Sequence, residues 1–146
     1  MAGWCPNQGE QAIFNVVLDG TTRTANVQIG LWAGTASADE TVVYTQADAV
    51  FTKVSATGLT EKTLSDGSWT VATDGSDVTT ATYADQTFTA GAGVSSEAVN
   101  GYYIAMTEGG TKKILFIERD PVARSLRASP TRLDFRSQAN SHGRSP

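Results

Sequence analysis

Few residues in this chain could do chemistry, and their spacing limits what each could do. Cys5 is the only cysteine and His142 the only histidine, and they stand at opposite ends. A thiol becomes a nucleophile when a base stands beside it, so this pair would need the fold to join both termini. A single cysteine also excludes an internal disulfide framework. Asp66, Asp74 and Asp77 fall in adjacent turn-like stretches and are the candidate metal ligands. Calcium takes roughly six to eight oxygens, and the short DGSD run at 74–77 lacks a closing bidentate glutamate. These aspartates read instead as turn residues that hydrogen-bond their own backbone. Carboxylate pairs for glycoside hydrolysis would be Asp39 with Glu40, or Glu118 with Asp85, at a separation only the fold can set. No G-x-S-x-G, P-loop or zinc-spaced Cys/His set occurs. The sequence therefore predicts no catalytic residue, no metal and no cofactor. The aromatics Trp4, Trp32, Trp69, Tyr44 and Tyr83 allow two readings. Trp32 and Tyr44 could face a ligand as a sugar-stacking platform, or Trp32 and Trp69 could be core or subunit-interface residues, which is the favoured reading.

The elements that would position these residues are mostly strands. Residues 99–119, VNGYYIAMTEGGTKKILFIER, read as a hairpin with arms at 101–107 and 112–119. Gly109-Gly110 supplies the positive φ that a tight turn needs. Strict alternation places Tyr102, Ile104 and Met106 on one face and Tyr103 and Ala105 on the other, and sets Ile114 and Phe116 opposite Leu115 and Ile117. Both faces are apolar, so these strands are expected to be central and covered on each side. Residues 25–33 alternate as a half-buried strand, with Val27, Ile29 and Leu31 opposite Gln28, Gly30 and Trp32. Residues 59–64 and 68–73 flank Ser65-Asp66-Gly67, a strong hairpin turn signal. Residues 80–89 read as one irregular strand, and residues 34–48 as a long loop of the kind that binds something or crosses between sheets. One helix is expected at residues 8–19. Asn7 and Glu10 form a capping-box-like pair, and Ile13, Phe14, Val16, Val17 and Leu18 make a broad apolar stripe for the domain or a neighbouring chain. The expected fold is a mostly β antiparallel sandwich, jelly-roll or immunoglobulin-like, with one short N-terminal helix. It divides into an arm at 1–6, the sandwich domain at 7–119 and an Arg/Ser-rich arm at 120–146.

The 146 residues carry a formal charge of −4, unevenly spread. Residues 1–119 hold 6 Lys+Arg and 13 Asp+Glu, a net −7, whereas residues 120–146 hold 5 Arg and 2 Asp, a net +3. An acidic body argues against nucleic-acid binding, because phosphate contacts need clustered cations. The Arg tail suits an acidic partner surface, nucleic acid or plain solvation. The first residues have neither a basic nor an apolar region of the secretory kind, and no apolar run approaches the roughly 18 residues of a membrane span. A soluble protein made in a cytoplasm is expected.

The order of segments adds a resemblance. PNQGE leads to IGLWAG, then to VSATGLTEKTL, SDGSWTV, ATYADQTFTA, NGYYIAMTEGG and ILFIER. This set, over about residues 6–119, resembles small β-rich virion proteins of tailed bacteriophages that serve as head-decoration or tail-fibre-like components. The matching positions are residues 57–64, 69–71, 83–88, 101–103 and 114–119. Leu59 stands where that group commonly has an aromatic. The Arg/Ser tail stands where it has a further apolar strand, so that strand is absent or donated by a neighbour, or the tail is instead an arm that clamps adjoining subunits. The resemblance implies a structural, non-enzymatic virion protein and a symmetric oligomer, with a trimer favoured. Its partners would be the major capsid protein or other virion proteins. The helix residues Ile13, Phe14 and Val17 would make a dry contact, and Arg124, Arg127, Arg132 and Arg136 salt-sensitive ones. A tail-fibre, neck or baseplate component is the alternative within the virion, and a carbohydrate-binding module the alternative outside it.

Overall fold

The computed structural model describes residues 2–18, 23, 26–37, 42–73, 75, 79–94, 97–126, 132–135 and 138–140, with only the backbone path given for the strands beyond residue 120. The elements in chain order are β1 (Ala2–Trp4), α1 (Asn7–Leu18), β2 (Val27–Ala33), β3 (Thr52–Lys53), β4 (Lys62–Leu64), β5 (Thr70–Thr73), β6 (Thr79–Thr82), β7 (Gln86–Thr89), β8 (Glu97–Glu108), β9 (Thr111–Leu126), β10 (Arg132–Phe135) and β11 (Gln138–Asn140). The fold is mostly β, all pairings are antiparallel, and the one described α-helix is N-terminal. A six-stranded sheet runs β1-β9-β8-β2-β3, with β4 also on β2. Small sheets β10-β7 and β11-β6-β5 complete it.

The β8–β9 hairpin is the centre of the large sheet. Gly109 and Gly110 turn it at φ 55° and 78°, the two positive values a two-residue turn requires. Its register is not a plain alternation. Ile104 pairs with Phe116 and Ala105 with Ile114, which leaves Leu115 as an extra residue. Such a bulge shifts the side-chain phase of one strand against the other. Ile114 and Ile117 consequently share a face, and Leu115 and Phe116 pack with the opposite one, correcting the alternation expected for β9. A second irregularity lies between Val99↔Arg124 and Gly101↔Arg119. It takes up the surplus residues of β9, among them Pro121, which has no N–H for a ladder. The composition change at Asp120-Pro121 falls within β9, whose backbone runs on to Leu126. Beyond β9, β10 pairs with β7 and β11 with β6.

Other expectations change with the pairing. Residues 59–64 and 68–73 do not form a hairpin. β4 joins β2, β5 joins β6, and residues Asp66–Ser68 make a 3-10 turn between them. The irregular strand at 80–89 divides into β6 and β7, which enter different sheets. β2 is not half-buried, because it lies between β8 and β3/β4 with Ile29, Gly30, Leu31 and Trp32 all buried.

Each face of the large sheet is covered. On one, Ile29, Leu31, Tyr102 and Ile104 pack with Val54, Leu59, Leu64, Val94 and Phe88. Phe88 comes from β7, so the two-stranded sheet supplies part of a second, sandwich-like layer. On the other, Trp32, Tyr103, Ala105, Ile114 and Ile117 pack with Ala36, Val42 and Phe51. The long loop after β2 therefore folds over this face, anchored by Ala36 N–H donating to the Val50 carbonyl at 2.9 Å. Helix α1 lies beside it against β9. Gly9 and Ala12 are its buried residues, and a Cβ on Gly9 would stand 2.6 Å from the Ile114 carbonyl oxygen. Close approach to the bulged backbone is what demands glycine there. Gln8 Oε1 accepts from Ile114 N at 3.3 Å and from Tyr44 N at 3.4 Å, tying helix, bulge and loop together. The helix begins at Asn7, with the Pro6 carbonyl accepting from Gly9 and Glu10 N–H, so the expected Asn7–Glu10 capping pair is not its start signal.

Candidate functional site

Two features of this fold could act on something outside it: a cleft centred on Glu61 and the outer face of α1. The cleft begins with a small residue in β2. A Cβ at Gly30 would lie 2.4 Å from the Tyr103 ring, so glycine lets that ring cross the strand it pairs with. The Tyr103 hydroxyl then donates to Glu61 Oε1 at 2.6 Å, and Tyr44 donates to the same oxygen at 2.9 Å. Lys112 Nζ bonds the other oxygen, Oε2, at 2.7 Å. Burial pushes the Glu61 carboxyl up. The hydrogen bonds from Lys112, Tyr103 and Tyr44, with the Lys112 charge, outweigh it and hold the group below the ordinary carboxylate range. Tyr103 moves the other way, raised first by burial and then by donating to Glu61. Lys53 Nζ sits 3.6 Å over the Tyr44 ring and Lys112 Nζ 4.9 Å from it, both within cation–π reach. Gln28, Val54, Ser55 and Thr60 complete the wall of a cavity of about 380 Å³.

Because Glu61 is held ionised in the fold, it stabilises the protein above its unfolded value, and that contribution is lost as pH falls through the lowered folded value. Urea midpoints are expected to fall as pH is taken from about 6 to below about 4, a carboxylate range. Glu61→Gln should start less stable at neutral pH and lose less across that interval. An identical pH slope in the variant would contradict the arrangement.

The outer face of α1 is the second feature. Gly9 and Ala12 face the sheet, and the large residues turn outward: Ile13 is 44% exposed, Phe14 60%, Val17 70% and Leu18 76%. Phe14 and Val43 line a shallow groove beside Gln8 and Gln11. Of the predicted apolar stripe, Val16 is half-buried and Ile13, Phe14, Val17 and Leu18 stand exposed, because the close approach to the bulged backbone of β9 is made by Gly9 and Ala12.

The remaining sequence candidates are distributed as follows. Trp32 is not ligand-facing: it is fully buried, stacks on Phe51 at 5.7 Å, meets Trp4 edge-on at 6.4 Å and donates Nε1–H to the Glu118 carbonyl at 3.1 Å. Tyr44 does line the cleft. The Cys5 thiol is pushed up by burial and then by the charge of Glu10, the reverse of activation. His142 lies outside the described residues, as do Asp39, Glu40, Asp74 and Asp77. Asp66 is engaged by Arg23, whose two Nη atoms donate to its two oxygens. Glu118 is buried and accepts from the Tyr102 hydroxyl, while Asp85 is exposed. Of the arginines, Arg124 lies on β9 and Arg132 on β10, and Arg127 and Arg136 lie outside the described residues. Among the described residues no three His, Cys, Asp or Glu side chains gather as a metal site, and no helix is long and apolar enough to cross a membrane. Sequence reasoning missed Glu61, Lys53 and Lys112, which carry no motif and read as surface charges. No protein-family model, curated protein or solved structure matches the chain.

Proposed function

We propose that this is a non-enzymatic structural protein of a bacteriophage virion, a capsid decoration protein that binds across capsid subunits through the outer face of α1. The observation that carries this reading is the row Ile13, Phe14, Val17 and Leu18 held outward on a helix whose inner contact uses glycine and alanine. A contiguous exposed apolar patch of this kind marks an interaction surface. The arrangement of sequence segments supports the virion setting. The mechanism is mass action: a partner that binds only the assembled shell stabilises it.

The test is co-sedimentation with emptied phage heads stripped of their outer proteins, using the wild type and a Phe14→Ser/Val17→Ser variant. The wild type is expected to bind at saturable stoichiometry and to raise the heat resistance of the heads. The variant should bind at least about tenfold more weakly, equivalent to about 1.4 kcal/mol or more, while melting as the wild type does, since both side chains are exposed. Absence of wild-type binding to heads, or equal binding by the variant, would overturn the proposal. Binding to tails or host envelope instead would assign the protein to the adsorption apparatus.

A further inference from the structure

We propose that the Glu61 cleft is a binding site for a small sugar acid, with the carboxylate of the ligand on Lys53 and its hydroxyls on Ser55, Thr60 and Gln28. The site is independent of the α1 face and of the virion reading. Its volume, about 380 Å³, lies within the range of small-molecule sites, roughly 300–1,000 Å³. Its charge is asymmetric. The one carboxylate in its wall, Glu61, is already matched on both oxygens by Tyr44, Tyr103 and the Lys112 ammonium, so it repels an incoming anion only weakly. Lys53 is the second cation. Its ammonium rests on the Tyr44 ring, and no carboxylate of the described residues comes within ion-pair distance of it. A ring face can hold an ammonium in place while its N–H donors still point elsewhere. Beyond Lys53 the wall offers the Gln28 amide and the Ser55 and Thr60 hydroxyls, set among the apolar surface of Val54 and the tyrosine rings. A sugar acid matches such a mixed wall, since its ring carries both C–H faces and hydroxyls.

Tyr103, Tyr44 and Lys112 also fix the geometry before a ligand arrives. Tyr103 is fully buried and packs edge-on against Phe51 at 5.7 Å and against Tyr44 at 6.3 Å. The platform under Lys53 is therefore anchored in the core of the sheet, and binding would require little reordering.

The experiment is NMR titration of the full-length protein with galacturonate, galactose, galactose 6-phosphate and inorganic phosphate, repeated on Lys53→Met and Lys53→Arg. Galacturonate is expected to shift the resonances of Lys53, Ser55 and Thr60 saturably, at millimolar or lower concentration. Galactose should bind at least tenfold more weakly, as should galacturonate to Lys53→Met, and Lys53→Arg should retain most of the binding. Thermal melts of both variants check that they fold as the wild type does. No saturable shift with galacturonate would overturn the proposal, as would equal binding of galactose or equal binding by a folded Lys53→Met. Binding of galactose 6-phosphate or inorganic phosphate without galacturonate would overturn the assignment to a sugar carboxylate.

Discussion

Trp32→Ala is expected to destabilise the protein by about 3–5 kcal/mol, the range for truncating a large buried aromatic. The physical reason is the number of elements that meet on this side chain. Its ring stacks on Phe51 from the loop that covers the sheet and meets Trp4 from edge strand β1. Its Nε1–H is the donor to the Glu118 carbonyl on β9, so truncation also removes a hydrogen bond from a buried backbone oxygen. At roughly 2–4 °C per kcal/mol for a chain near this size, the melting temperature should fall by about 10 °C or more. The aromatic near-ultraviolet circular dichroism should weaken with it, because the series Trp4, Trp32, Phe51, Tyr103, Tyr44 loses its second member. Trp32→Phe, which keeps a ring for Phe51 but loses the N–H and part of the indole's contact area, should cost less than the alanine variant. A loss below about 1 kcal/mol for the alanine variant, the level of an ordinary surface change, would place Trp32 outside the core.

Gly101→Ala is expected to be nearly as costly through the opposite defect. A Cβ there would stand 1.9 Å from the Glu118 carbonyl oxygen and 2.9 Å from Trp32 Nε1. The first is a backbone atom of the paired strand, next to Arg119, which faces Gly101 in the register. It cannot withdraw without opening the β8–β9 ladder at its irregular point. Overpacking usually costs about 1–3 kcal/mol. A clash this short with backbone belongs at or above the top of that range. Gly67→Ala is the control, since nothing stands within 4 Å of the added carbon. It should change stability by less than about 0.5 kcal/mol, as exposed substitutions usually do. Urea unfolding of the two variants under one set of conditions decides the matter. Comparable midpoints would mean that β8 and β9 do not approach one another as described.

What sequence alone made legible was governed by neighbours along the chain. The Gly109-Gly110 turn was readable because a tight hairpin needs positive φ at two successive residues, and few residues other than glycine supply it. The alternation of β2, the two-faced apolar pattern of β8 and the existence of α1 were readable because side-chain periodicity is a local property. The mostly β, antiparallel class with one N-terminal helix follows from those local signals.

What only the tertiary structure decided were the partners. An Asp-Gly turn signal is compatible with a hairpin, yet β4 found β2 and β5 found β6, because pairing depends on the surface available across space. The bulge at Leu115 regrouped the faces of the second arm of the hairpin, putting Ile117 with Ile114 and Phe116 with Leu115. It also presented a stretch of backbone that helix α1 approaches closely through Gly9, with Ala12 its other buried residue. That contact turned the large apolar residues of α1 outward, which the helical period could not foretell, since it gives a stripe without saying what covers it. Glu61, Tyr44, Tyr103, Lys53 and Lys112 come from five separate places in the chain. Only a folded sheet, with a glycine at position 30 to let one tyrosine through, brings their charges and hydroxyls to within hydrogen-bond and ring-contact distances.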